Sequence, residues 1–164
     1  MDTEFMKSEF PIINTGRLIL RQLNDNDVEP MVEISAFKLP DPTPDQAEEY
    51  IHKANTDFIK GTSCIWGLES NGELIGTIGY YRGFANKTGE IGYVMREDYK
   101  RQGFMSEAIL AILEHGFKTL ELTKITAYSD LSNTASVRLL EKLGFENTNF
   151  KFEKYNIFEI RSVR

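Results

Sequence analysis

Three consecutive stretches constrain the fold most. An apolar run, "GEIGYVM" (89–95), is followed by "GFMSEAILAILEHGFKTL" (103–120) and then by "TKITAYSD" (123–130). In the middle stretch Phe104, Met105, Ala108, Ile109, Ile112, Leu113 and Phe117 recur at helical spacing. Glu114 and Lys118 sit four apart on its polar side, an orientation that supports a helix. The flanking runs read as strands. A helix joining two strands is the pattern of a crossover, which makes the strands parallel where they share a sheet.

Antiparallel structure surrounds this unit. "SCIWGLE", "ELIGTIGYYR" and "GEIGYVM" are separated by the turn-forming "SNG" and "FANKTG", which predicts an antiparallel set. Upstream, "RLILRQL" from Arg17 to Leu23 alternates polar and apolar residues as a strand does. "NDNDVEPMVEI" predicts a short helix around Asp27 to Ser35. After the proline-rich "KLPDPTPDQ" a helix is expected near Pro44 to Ile59, with Ala47, Ile51, Ala54 and Phe58 on one side and Gly61 ending it.

Downstream, "SNTASVRLLEKLGF" predicts a helix capped by Ser132 or Asn133. Gly144 fits the left-handed position past its end, and Phe145 folds back on Leu140. "FENTNFKFEKYNIFEIRSVR" closes the chain as a strand pair turning near Glu153 and Lys154. The expected class is α/β. It is a single domain over residues 1–164, with residues 1–14 as an N-terminal extension. Its sheet is twisted, mixed and mostly antiparallel, with about seven strands and helices on both faces.

Composition excludes several functions. A chain of 164 residues buries a sizeable core without disulfides or metal. The single cysteine, Cys64, rules out an internal disulfide and reads as a small buried hydrophobe rather than a nucleophile. A cytoplasmic protein is expected, since "MDTEFMKSEF" lacks a secretory pattern and no apolar run approaches the roughly 20 residues of a membrane span. The net charge of −6 argues against nucleic-acid binding, so a bound anion would need local cations. No metal is expected, because no Cys, His and carboxylate cluster has ligand spacing. His115 reads as packing and His52 as surface.

The turn before the long helix is "YKRQGFMSEA". A helix N-terminus leaves backbone N–H groups unpaired and carries partial positive charge, so anions bind where the backbone allows close approach. Gly103 allows that approach, Lys100 and Arg101 supply a field, and Ser106 can add a hydroxyl. The same features also describe a solvated turn. The turn is not a P-loop or a Rossmann turn, because neither glycine pattern is present.

Read in order with its neighbours, the chain resembles the Gcn5-related N-acetyltransferases, which use acetyl-CoA. "KRQGFM" occupies the places of their pyrophosphate loop, with Lys100 where Gln or Arg is usual and Met105 where a small residue is usual. "NTASVRLLEKLGF" resembles the family's later helix and turn. "NTGRLILRQL" resembles the first strand of its ribosomal-protein N-terminal acetyltransferase branch. The N-terminal helical region is shorter and more proline-rich than that branch suggests.

The resemblance implies roles. Lys100, Arg101, Gln102, Gly103, Phe104, Met105 and Ser106 would hold the pyrophosphate. Tyr93, Val94 and Met95 would bond the pantetheine arm through their backbone, with an N–H near Val94 polarising the thioester carbonyl. Asn133 would contact the arm and Ser136 would lie near the sulfur.

Glu90 is the expected base that removes the ammonium proton, worth roughly 10²–10⁴-fold. It also reads as a solvated strand-edge carboxylate. Ser136, or a tyrosine such as Tyr128, is the expected acid for the leaving thiolate, and Ser136 and Asn133 also read as helix-capping residues. Trp66, Tyr80, Tyr81 and Phe84 read mostly as core, with one or two available to line the acceptor pocket.

The expected function is acetyl transfer from acetyl-CoA to a primary amine, with a protein N-terminal amine leading. A small-molecule amine is the alternative acceptor, and a non-catalytic acyl-CoA-binding module is the rival class. No membrane partner is expected, and the protein is expected to be a monomer or homodimer.

Overall fold

The structure is a computed structural model and describes residues 9–35 and 39–163. Residues 1–8 of the expected N-terminal extension lie outside the described residues. The elements in chain order are β1 (Ile13–Asn14), β2 (Ile19–Gln22), α1 (Val28–Ser35), α2 (Pro44–Lys60), β3 (Cys64–Ser70), β4 (Glu73–Tyr81), β5 (Thr88–Met95), α3 (Phe104–Lys118), β6 (Lys124–Ser129), α4 (Thr134–Lys142), β7 (Glu146–Phe152) and β8 (Tyr155–Arg161). One sheet holds all the described strands, in the order β1-β2-β3-β4-β5-β6-β8-β7. Only β5 and β6 pair in parallel, as the crossover requires. The sheet has eight strands where about seven were expected. The addition is β1, whose two residues pair with Leu20 and Ile19 and are too few to show a period.

Local chemistry sets the helix ends. Thr43 and Gln46 form a reciprocal capping box with Pro44 in the first turn, and α2 stops at Gly61 in left-handed backbone. Helix α4 ends as its sequence predicts. Gly144 N–H donates to Glu141 O at 3.0 Å and Phe145 N–H to Leu140 O at 3.0 Å, the paired bonds of a Schellman stop. Leu140 and Phe145 are both buried.

Helices cover both faces of the sheet. On one, α1 and α2 pack Met31, Ile34, Ala47, Ile51 and Ala54 against Leu23, Ile65 and Leu74. On the other, α3 packs Phe104, Ala108, Ile109, Ile112 and Leu113 against Trp66, Ile78, Tyr80, Ile91 and Ile125, joined by Leu140 of α4. Each fully buried large apolar side chain contributes about 1.5–3 kcal/mol. The second cluster is the larger and anchors β5, α3 and β6 as one unit.

That unit contains the feature that positions the site. Pairing of β5 with β6 runs only from Thr88 with Lys124 to Ile91 with Ala127. Beyond it β5 continues on β4 to Met95, and β6 continues on β8 to Ser129. The two strands therefore part at Gly92, leaving a gap in the middle of the sheet. The gap faces the turn that starts α3 and the N-terminus of α4.

Candidate active site

The turn into α3 has an unusual backbone. Arg101 has φ 60° and Gly103 φ 82°, both left-handed. Backbone alternating in this way presents successive N–H groups on one concave side, a form suited to anions. Gly103 is the N-cap of α3 and no side chain caps that first turn. A Cβ at Gly103 would also lie 3.2 Å from Arg17 Nη2. The described residues thus fit a phosphate group on backbone and charge alone.

The side chains hold this turn from behind. Arg17 N–H donates to Glu107 Oε1 at 2.7 Å and Arg17 Nε to Glu107 Oε2 at 2.8 Å, while Thr15 Oγ1 donates to Glu107 Oε1 at 2.5 Å. Arg17 Nη1 donates to the Gln102 carbonyl at 2.9 Å, and its guanidinium lies 4.1 Å from the Phe104 ring centre. Burial pushes the Glu107 carboxyl upward, but the hydrogen bonds from Thr15 and Arg17 outweigh it and hold the group below its ordinary value. Sequence reasoning missed this clamp, whose partners are some ninety residues apart.

The remaining loop residues lie at the surface or pack against the core. Lys100 pairs with Glu97 at 2.7 Å, Gln102 Nε2 donates to the Asp98 carbonyl at 2.9 Å, and Arg101 is exposed. Phe104 is buried, Met105 packs half-buried against the core, and Ser106 is half-buried in the first turn.

Across the gap, Asn133 caps α4, its Oδ1 accepting from Ser136 N–H at 3.2 Å. The Ser136 hydroxyl lies 2.9 Å from the hydroxyl of Tyr93. Here the side chain of Tyr93, which sequence reasoning cited only for its backbone, bridges β5 to α4. Burial pushes its phenol upward, and the bond to Ser136 offsets part of that. Arg96 N–H donates to Ile75 O of β4 at 2.8 Å. Strand alternation then turns the backbone of Met95 and Tyr93 toward the gap and that of Val94 toward β4.

Glu90 occupies the opposite face. It sits in register with Tyr81 of β4 and Thr126 of β6, just before the strands part. Its side chain is 18% exposed and 3.5 Å from Arg82. Burial raises its carboxyl above the ordinary value, and the Arg82 charge lowers it in part. Arg82, in left-handed backbone at φ 61°, also lies over the rings of Tyr128 and Phe152 at 5.6 and 6.0 Å. Two cavities meet at Tyr81, Arg82 and Glu90, an open groove of about 790 Å³ over β6, β8 and β7 and a smaller one beneath α2.

Other residues of interest in the sequence have structural roles. Tyr80 is fully buried and donates to Ile112 O at 2.6 Å, so of the four aromatics it is Tyr81 that lines the cavities. His115 packs edge-on to Trp66 at 5.6 Å, and burial lowers its imidazole. Cys64 is buried and its thiol pushed far upward. Among the described residues no group of His, Cys, Asp and Glu could hold a metal, and no helix is long and apolar enough to cross a membrane.

The comparisons with known proteins decide the family. A model of the acetyltransferase (GNAT) domain matches residues 17–146. The chain belongs to the GNAT acetyltransferases. It is 35% identical to the uncharacterized N-acetyltransferase YoaA of Bacillus subtilis, covering 84% of each chain. It is 31% identical to a ribosomal-protein-serine acetyltransferase of Escherichia coli over 52% of this chain and 49% of that one. Among solved structures, a putative ribosomal-protein-serine acetyltransferase from Vibrio cholerae superposes with a TM-score of 0.81 at 22% identity, covering 93% and 98% of the two chains. RimL, a ribosomal-protein α-N-acetyltransferase solved with coenzyme A, gives 0.78 at 17% identity, covering 92% and 98%. The GNAT match makes this chain an acyltransferase, within a family that uses acetyl-CoA.

Proposed function

We propose that this GNAT enzyme acetylates the N-terminal amine of a polypeptide, with acetyl-CoA held at the α3 turn and the amine delivered to Glu90. Bound acetyl-CoA supplies the activated acetyl group. The backbone from Arg101 to Ser106 takes its pyrophosphate, with Lys100 and Arg101 setting the local field. An N–H of the Tyr93–Met95 segment polarises the acetyl carbonyl. Asn133 contacts the arm, and the Ser136 hydroxyl, bonded to Tyr93, stands ready to give a proton to the departing thiolate. From the other face Glu90 takes the ammonium proton, directly or through water.

One observation carries this reading. Glu90 is the carboxylate at the junction of the two cavities, on the face opposite the Ser136–Tyr93 pair and beside the gap. A base and an acid on opposite sides of an opening let an amine attack from one side while the thiolate leaves on the other. Alignment of this kind supplies much of the acceleration, and the base about 10²–10⁴-fold more. The open groove beyond Glu90 favours a polypeptide acceptor. It crosses three strand spacings from β5 to β7, about 14 Å, the length of roughly four extended residues.

An acetylation screen with product identification tests the proposal, using N-terminal peptides, polyamines, amino sugars and acetyl-CoA. Peptides acetylated at the α-amine with the highest kcat/KM are the expected result. A small amine surpassing every peptide would replace the acceptor. Binding of acetyl-CoA with no thiol released on any amine would replace acetyl transfer by a binding role.

A further inference from the structure

The turn that starts α3 is fastened from a second side. Strand β5 ends at Met95, and one short turn over Glu97–Tyr99 leads into Lys100. Between them stands Arg96, whose side chain is 18% exposed. Its guanidinium lies 3.2 Å from Glu33 of α1, 3.8 Å from Asp98 and 4.0 Å from Glu73 at the start of β4. The Arg96 Nε is buried without a hydrogen-bond partner, and among the described residues Ser63 Oγ is the only other side-chain atom so placed. A buried orphan on a charged group is costly, so stability alone is a poor reason for an arginine at this point.

Tyr99 shows what the arginine holds. The guanidinium lies 5.4 Å from the Tyr99 ring centre, and the Tyr99 hydroxyl donates at 2.5 Å to Glu73, the carboxylate that Arg96 also faces. Tyr99 meets Phe104 edge to face at 6.1 Å, and Arg17 lies over Phe104 at 4.1 Å. Arg96, Tyr99, Phe104 and Arg17 therefore make a row of cation, ring, ring and cation, and residues 100–103 are strung between the two rings. At one end Arg17 is fixed by Glu107 and the Gln102 carbonyl. At the other Arg96 is fixed by its three carboxylates, one of them on α1. That helix is itself anchored, since α1 packs with α2 in one apolar cluster and Tyr50 of α2 meets the hydroxyl of Tyr81 on β4 at 3.3 Å.

A row of this kind has a use. Arg101 takes left-handed backbone at φ 60° without being glycine, and such a conformation persists only where its surroundings over-determine it. With both ends pinned, the turn keeps its N–H groups converged before a ligand arrives, so the cost of ordering it is not taken out of binding. We infer that Arg96 is a positioning residue for the cofactor, which by holding Tyr99 keeps the turn from Lys100 to Gly103 in the form that takes the pyrophosphate. The inference rests on the reading that this turn binds acetyl-CoA. It gives Arg96 and Tyr99 a part in binding without any contact to the phosphates.

Calorimetric titration of acetyl-CoA into wild type, Arg96→Met and Tyr99→Leu tests this, with steady-state kinetics on the most reactive acceptor of the screen above. Each variant is expected to weaken Kd by about tenfold, the scale of a partly desolvated contact between a cation and a ring, with the binding stoichiometry intact. The KM for acetyl-CoA should rise in step while kcat falls far less, because the loss is in binding and not in the chemical step. Tyr99→Phe, which keeps the ring, should stay closer to wild type than Tyr99→Leu. Folded variants with an unchanged Kd overturn the inference. So does a lowered stoichiometry or kcat at unchanged Kd and KM, the mark of a role in folding alone. Should Arg96→Met fail to fold, Tyr99→Leu decides. Gly103→Val binding acetyl-CoA as tightly as wild type would overturn the reading of the turn itself. A weakened Gly103→Val beside unchanged Arg96→Met and Tyr99→Leu would overturn the positioning role alone.

Discussion

Glu90 and Glu107 are the same residue type placed at two sides of one site, and their surroundings set them apart. Glu107 receives a backbone N–H, a hydroxyl and a guanidinium, and its carboxyl is held low. Glu90 has one cation at 3.5 Å and, among the described residues, no hydrogen-bond partner for its carboxylate, and burial holds that carboxyl high. A saturated carboxylate is useful as a fastening and useless as a base, because giving up its bonds costs more than a proton returns. A desolvated and under-bonded one is poised to accept a proton. Perturbation of this second kind, in a cavity, is the physical mark of a functional group.

The largest effect expected is on Glu90. Glu90→Gln should lower kcat by about 10²–10⁴-fold and remove the acidic limb of the pH–rate profile. That limb should lie above the ordinary carboxylate range, with activity rising as Glu90 deprotonates. The raised carboxyl favours the folded state while protonated, a contribution complete below its unfolded pKa and lost as pH rises through the folded one. At neutral pH the substitution should therefore leave the melting temperature unchanged or slightly higher. An unaltered pH–rate profile would show that Glu90 is not the base.

Glu107→Ala should do the opposite. Losing three charge-assisted bonds costs about 2–3 kcal/mol of stability, near 4–12 °C in Tm for a chain of this size. Because its folded pKa is depressed, the stabilisation is present above the unfolded pKa and disappears as pH falls through the folded one. Calorimetry at neutral and acidic pH should show the variant and wild type converging in acid. A difference that persisted there would mean packing, not charge, is what Glu107 provides.

Gly103→Val follows, with an effect on ligand binding instead of folding alone. A left-handed φ of 82° costs a residue with Cβ about 1–2 kcal/mol, and the new atom meets Arg17. Affinity for acetyl-CoA, measured by calorimetry, should weaken by about tenfold or more. Unchanged affinity would remove the pyrophosphate assignment from this turn and leave the Glu107 clamp as fold support only.

The same contrast explains what the sequence disclosed. Helical periods, Gly144, and the "GEIGYVM", loop and α3 order announced the crossover because each depends on residues close in the chain. The loop, Asn133 and Ser136 could be named as candidates for the same reason, since a motif is a local spacing. Glu90 could be named, but its poise could not, because burial and the partner Arg82 are set by the sheet. Arg17 with Glu107, Tyr93 with Ser136, and Tyr50 with Tyr81 are meetings of distant segments that no local spacing records. Only Tyr50 left a trace, falling at helical spacing between Ala47 and Ala54 on the buried side of α2. The strand β1 was missed because two residues carry no period.

The smallest expected effect probes the Glu90 side most finely. Arg82 is exposed, and a pair of this kind contributes about 0.2–1 kcal/mol. Its charge lowers a carboxyl that burial raises, so Arg82→Ala should move the acidic limb to higher pH. Arg82→Lys should restore most of the shift, since a charge is what matters for the proton, while its loss of planar contact with Tyr128 and Phe152 should appear in KM for the acceptor. A limb that stayed in place on removing Arg82 would mean that this cation does not act on the base, and that desolvation alone separates Glu90 from Glu107.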